Sequence, residues 1–137
     1  MEREIQLQLT ADVPRLDEYF GDWAILERQF LSMVDSIQHM NLDVHVADSQ
    51  PARIAAERTF DVVDGVAVIP IVGATMKIKS SLGGGTSNVE VRRQVRLAMQ
   101  DDAVSAILLK VDSPGGTVAG TADLGMAVRD AAKSKPT

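Results

Sequence analysis

Cysteine is absent from this 137-residue sequence. That excludes disulfides, thiolate catalysis and cysteine-based zinc sites, and it suits a reducing or an oxidising compartment equally. A basic excess is missing too. The formal net charge is −5, which argues against a general nucleic-acid-binding role, because phosphate recognition needs a basic face. No apolar run approaches the roughly 18 residues needed to span a bilayer. The start, Met1-Glu2-Arg3-Glu4-Ile5-Gln6, has no basic stretch followed by an apolar one, so it does not read as a signal peptide. Internal repeats are absent. What is present is ordinary: 45% apolar and 24% charged residues, enough for one modest domain with one core.

Residues 1–21 read as a mixed lead-in interrupted by Pro14. Trp23, Leu26, Phe30, Met33, Val34, Ile37 and Met40 then recur at helical spacing, with Asp22 as the expected N-cap. Such a stripe packs inward more often than it binds a partner. Residues 41–58 read as a connection containing Pro51, with a short strand at Val44-His45-Val46. A hairpin follows: Thr59-Phe60-Asp61-Val62-Val63 and Val66-Ala67-Val68-Ile69-Pro70-Ile71-Val72 flank Asp64-Gly65, a type I′ turn sequence. Pro70 cannot donate to a ladder and belongs at an edge or bulge. Gly83-Gly84-Gly85 lie in a Gly/Ser/Lys-rich loop. No strand leads straight into them and no Gly-Lys-Ser/Thr follows, so a phosphate cradle is disfavoured and Lys77 and Lys79 read as solvated charges. Ser87-Asn88-Val89-Glu90 has the capping-box pattern and opens a helix over residues 88–100, with Val91, Val95, Ala98 and Met99 on one face and Arg92, Arg93 and Arg96 on a solvated one. The continuous apolar run at residues 105–111 predicts a strand buried on both faces. Residues 117–133 read as a helix packing through Val118, Ala122, Gly125, Val128 and Ala132. The order implies an α/β fold with a parallel sheet covered by helices.

Chemistry concentrates in Asp112-Ser113-Pro114-Gly115-Gly116, directly after the apolar strand. Adjacent glycines permit close approach of a ligand to backbone N–H groups. Aimed at one point, and helped by a helix N-terminus, such groups form an oxyanion hole. The same glycines equally suit a tight strand-to-helix turn that needs them for geometry alone. Ser113 lies beside the turn but lacks a Gly-x-Ser-x-Gly elbow, and a turn serine more commonly bonds nearby backbone. His39 and His45 have no partner that sequence identifies. Asp61, Asp64, Asp101, Asp102 and Asp112 lack metal-ligand spacing.

Three stretches carry a family resemblance. They are Gly65-Val66-Ala67-Val68-Ile69-Pro70-Ile71-Val72-Gly73, the block from Ala106 through Asp112-Ser113-Pro114-Gly115-Gly116-Thr117-Val118-Ala119-Gly120, and the lead-in Pro14-Arg15-Leu16-Asp17-Glu18-Tyr19-Phe20-Gly21-Asp22-Trp23-Ala24-Ile25. Together they resemble the N-terminal part of S49 peptidases, the signal-peptide-peptidase-A and phage capsid protease group, with distant echoes in Clp-type proteases and crotonases. The resemblance implies a partial ClpP/crotonase-like spiral of βαβ units over residues 59–137. A helical lead-in and connection, with its amphipathic helix, precedes it over residues 1–58. It implies a serine endopeptidase in which a Ser attacks the peptide carbonyl and a Lys takes its proton. Both are expected after Thr137, and neither maps onto this sequence. Gly115 and Gly116 carry over as the oxyanion and substrate-backbone site, with Thr117 and Val118 as the edge beside a bound peptide. No cofactor or metal is implied. The implied partners are a peptide or protein substrate, including capsid or scaffold proteins, and further copies of the chain. The implied location is the host cytoplasm. Two other classes stay open: a non-catalytic remnant or oligomerisation module, and a crotonase-like acyl-CoA-binding protein using the same Gly amides on a thioester.

Overall fold

The computed structural model describes residues 19, 21–48, 58–80, 82 and 85–137. The lead-in around Pro14, the segment around Pro51, and Gly83 and Gly84 lie outside the described residues. In chain order the elements are β1 (Trp23–Ile25), α1 (Glu27–Gln38), α2 (Leu42–Asp48), β2 (Asp61–Val63), β3 (Val66–Val72), β4 (Thr75–Met76), β5 (Thr86–Ser87), α3 (Asn88–Gln100), β6 (Ala106–Asp112), β7 (Gly115–Thr117) and α4 (Thr121–Ser134).

The hairpin forms where the turn chemistry places it. Asp64 and Gly65 both have positive φ, 51° and 78°, the pair of left-handed residues that a type I′ turn requires. β3 pairs antiparallel with β2 and parallel with β6 over its whole length, from Val66 opposite Ala106 to Val72 opposite Asp112. Pro70 lies beyond the last β2 partner, so its missing donor faces no ladder.

The inner face of this sheet presents Ala67, Ile69, Ile71 and Ile107 to Val91, Val95 and Ala98 of α3 and Ala131 of α4, all buried. The capping serine acts as its sequence implies, because Ser87 Oγ accepts the Glu90 N–H at 3.2 Å. The reciprocal half of the box is absent. Glu90 instead accepts from Arg93 and Gln94. At the other end of α3, Lys135 Nζ donates to the carbonyls of Ala98 and Asp101 at 2.9 and 2.8 Å, closing exposed acceptors at the helix C-terminus. Beside it, the Ile107 N–H donates to Pro136 O at 2.8 Å, so the chain leaving α4 lies along the β6 edge away from β3.

Five expectations are corrected. The first helix starts at Glu27 with Leu26 as N-cap, not at Asp22, because residues 23–25 are taken into a sheet. The strand at 44–46 is part of helix α2. β6 is covered on one face only: Ile107 is buried and Leu109 packs beside it, while Leu108 on the other face is 52% exposed. The last helix begins at Thr121, after a strand rather than directly after a glycine turn. Its packing face is Leu124, Ala127, Val128 and Ala131, whereas Ala122, Gly125 and Ala132 face solvent.

Candidate functional site: the Gly115–Thr117 strand

Strand β6 ends at Asp112, and two residues later the chain enters a second sheet as β7. That sheet has the order β1-β7-β4-β5, so β7 is an inner strand with a neighbour on each side. On one side Gly116 pairs in parallel with Thr75 of β4. On the other, β1 runs antiparallel, with Trp23 opposite Thr117, Ala24 opposite Gly116 and Ile25 opposite Gly115. Two further bonds extend that ladder beyond its three pairs: the Leu26 N–H donates to Pro114 O at 3.2 Å, and the Val118 N–H donates to Asp22 O at 2.8 Å. Bonded pairs alternate in an antiparallel ladder. Ala24 and Gly116 therefore form the bonded pair between those two, and the Gly116 N–H faces β1.

Both glycines are required by this arrangement. Gly115 has φ +116°, outside the range of ordinary L-residues, and a Cβ there would fall on the carbonyl oxygen of Ala24. A Cβ on Gly116 would fall on the carbonyl oxygen of Thr75. The two residues thus form a strand through which two others make close backbone contact, rather than the tight turn one reading of the sequence expected. The Gly115 N–H points elsewhere: it donates to Ser113 Oγ at 3.2 Å, and that hydroxyl lies at the same distance from Gly115 O. Ser113 is accordingly engaged with local backbone.

Thr117 is 3% exposed, and its Oγ1 is buried without a hydrogen-bond partner among the described residues. Its cross-strand neighbour Trp23 stacks on Tyr19 at 5.8 Å between centroids and meets Phe30 edge-on at 5.4 Å. Burial raises the pKa of the Tyr19 hydroxyl, with the Ser80 hydroxyl acting in the opposite sense. Val118 is exposed and opens the turn into α4. The buried Asn88 at the start of α3 holds that turn: its Nδ2 reaches Ala119 O at 3.3 Å and Thr121 Oγ1 at 3.4 Å. The structure therefore brings Gly115, Gly116, Thr117 and Val118 together on one strand and its exit. It adds Trp23, Ala24, Thr75 and Asn88, which sequence reasoning missed. Only β1 carried a signal, the large–small–large alternation of Trp23-Ala24-Ile25, and the helical stripe obscured it.

The other residues singled out in the sequence lie apart. His39 Nδ1 is 2.8 Å from Asp35 O at the end of α1, and His45 lies on α2. Arg92 pairs with Asp123 at 3.4 Å, and Arg93 with Glu90. Among the described residues no group of three His, Cys, Asp or Glu could hold a metal ion, and no helix is long and apolar enough to cross a membrane.

An α/β chain with a parallel strand pair and a Gly-Gly strand beyond it is what the geometry defines. Comparison with known proteins narrows this. The chain is 35% identical over 79 residues to the capsid assembly protease C of Escherichia phage lambda, an overlap of 53% of this chain and 18% of that protein. It is 32% identical over 82 residues to the head-tail preconnector protein GP5 of Enterobacteria phage P21, an overlap of 58% and 16%. The matched region thus spans less than a fifth of either relative. No protein-family profile matches, and no solved structure does.

Proposed function

We propose that this chain is the N-terminal part of an S49-type serine endopeptidase acting in phage capsid maturation, and that the β7 strand is its oxyanion and peptide-backbone site. The observation that carries this reading is the extended Gly115-Gly116-Thr117 backbone after a parallel-sheet strand, with one flank already engaged in an antiparallel ladder with an extended segment. A scissile peptide bound in that geometry would lay its backbone along β7, and an N–H such as that of Gly116 would meet the developing oxyanion. The likeness to a capsid assembly protease supports the reaction class. The nucleophilic Ser and the Lys base belong to the segment after Thr137, and the Ile107–Pro136 bond supports a strand continuing there along β6. Capsid or scaffold proteins are the proposed substrates, and the enzyme acts as a homo-oligomer in the host cytoplasm without cofactor or metal.

A second reading, a non-catalytic module, is favoured by one observation: the candidate peptide edge is occupied by the chain itself. Kinetics on a product of the gene extended past Thr137 separates the two. Gly116→Ala places a methyl on Thr75 O and misdirects the N–H, so kcat should fall by about 10²–10³. Gly21→Ala, where a Cβ meets nothing within 4 Å, should leave kcat within about twofold. Equal kcat for both variants, or an extended product that cleaves no peptide, removes the enzymatic reading.

A further inference from the structure

We propose that residues 22–26 act as an internal pseudosubstrate: they fill the peptide edge of β7 and must leave before a peptide in trans can bind there. This rests on the reading of β7 as a peptide site. β7 has β4 on its other flank, so the flank held by β1 is the only one along which an incoming strand could lie without breaking the β4 pairing. The segment holds it as a β-strand peptide does, with bonds running from Asp22 O to Leu26 N–H. It also meets β7 at the atoms in question, because Ala24 is the bonded partner of Gly116.

The two flanks are not equally anchored. On the β4 side, Met76 is fully buried, and Ile78, Ser80 and Leu82 beyond it are buried as well. On the β1 side the strand is three residues long, Leu26 is 61% exposed, and the following helix α1 buries none of its residues. Trp23 is only half-buried, and its Nε1 has no partner among the described residues. A short edge strand with so little packing is the kind of element that opens without global unfolding. The occupant also defines a preference. Trp23 and Ile25 share one face, and the small Ala24 between them faces solvent over Gly116. Ligands for this edge are extended segments with two large apolar residues flanking a small one.

The test uses the 137-residue chain, isotopically labelled for amide NMR, and the heptapeptide Gly-Asp-Trp-Ala-Ile-Leu-Glu as probe. Ala24→Pro removes the donor that faces Gly116 and should release β1. The expected result is peptide binding about tenfold or more tighter in Ala24→Pro than in the parent, since freeing the edge raises the binding-competent fraction. The shifts should be confined to amides of residues 115–118. Equal affinity for both chains overturns the pseudosubstrate while leaving β7 as a peptide site. A variant whose Gly116 amide loses protection but which binds no peptide overturns the peptide-site reading as well. Should Ala24→Pro fail to fold, hydrogen exchange on the unaltered chain decides: Gly116 and Leu26 amides should exchange far faster than those of Ile69 and Val95, which are buried within β3 and α3. Equal rates for all four would show that β1 does not open on its own and would overturn the proposal.

Discussion

At the scale of single residues, Thr117 is the side chain whose surroundings explain it least. A buried hydroxyl without a partner forgoes its hydration and contributes nothing in return, a cost of about 1–3 kcal/mol. Thr117→Val keeps the shape and removes the orphan oxygen. The thermal midpoint of the 137-residue chain should stay the same or rise, and a clear fall would show that the hydroxyl has a partner the structure does not reveal. The glycines beside it behave differently. Adjacent glycines marked residues 115 and 116 as special in the sequence, but not the reason: each is required by a carbonyl from a distant segment, Ala24 in one case and Thr75 in the other. Ser113 was readable, because a turn serine next to proline has little to bond except nearby backbone, and it does so.

At the scale of elements, legibility follows the range of the interactions that fix each one. The β2–β3 hairpin and α3 stand where the sequence places them, since Asp64-Gly65 and Ser87 act over a few residues. Ser87 serves two elements at once: its Oγ accepts the Glu90 N–H and donates to Lys77 O at 3.1 Å, tying the N-terminus of α3 to the segment after β4. Ser87→Ala should therefore cost about 0.5–2 kcal/mol, read as a lower urea midpoint with an unchanged m-value. No loss would mean that the cap is solvent-replaceable. β1 went unread because its residues satisfy two periods. Trp23 continues the helical stripe of Phe30 and Val34, and only pairing with β7 selects the strand. β6 reads as a doubly buried strand because its composition is apolar throughout. In the structure Leu108 lies on the face opposite α3 and is half-exposed. Composition reports how apolar a strand is, not what packs on it.

At the scale of the whole molecule, the residues after α4 return the chain to the β6 edge, and residues 22–26 lie along β7. The parallel β3–β6 pair and its helical cover were legible from the order of elements. The second sheet was not, because β4 and β5 are two residues long, and their pairing joins residues too far apart for any local pattern to record. Under the proposed function, this fold presents an oxyanion strand to a nucleophile supplied by a segment after Thr137. The most direct measurement is labelling by a serine-reactive phosphonate, read by intact mass and peptide mapping, on the 137-residue chain and on the extended product of the gene in parallel. No adduct is expected on the 137-residue chain, where Ser113 is engaged with Gly115. One adduct is expected on the extended product, at a serine after residue 137. Stoichiometric labelling of Ser113 in the 137-residue chain, or an extended product without an adduct, would contradict it.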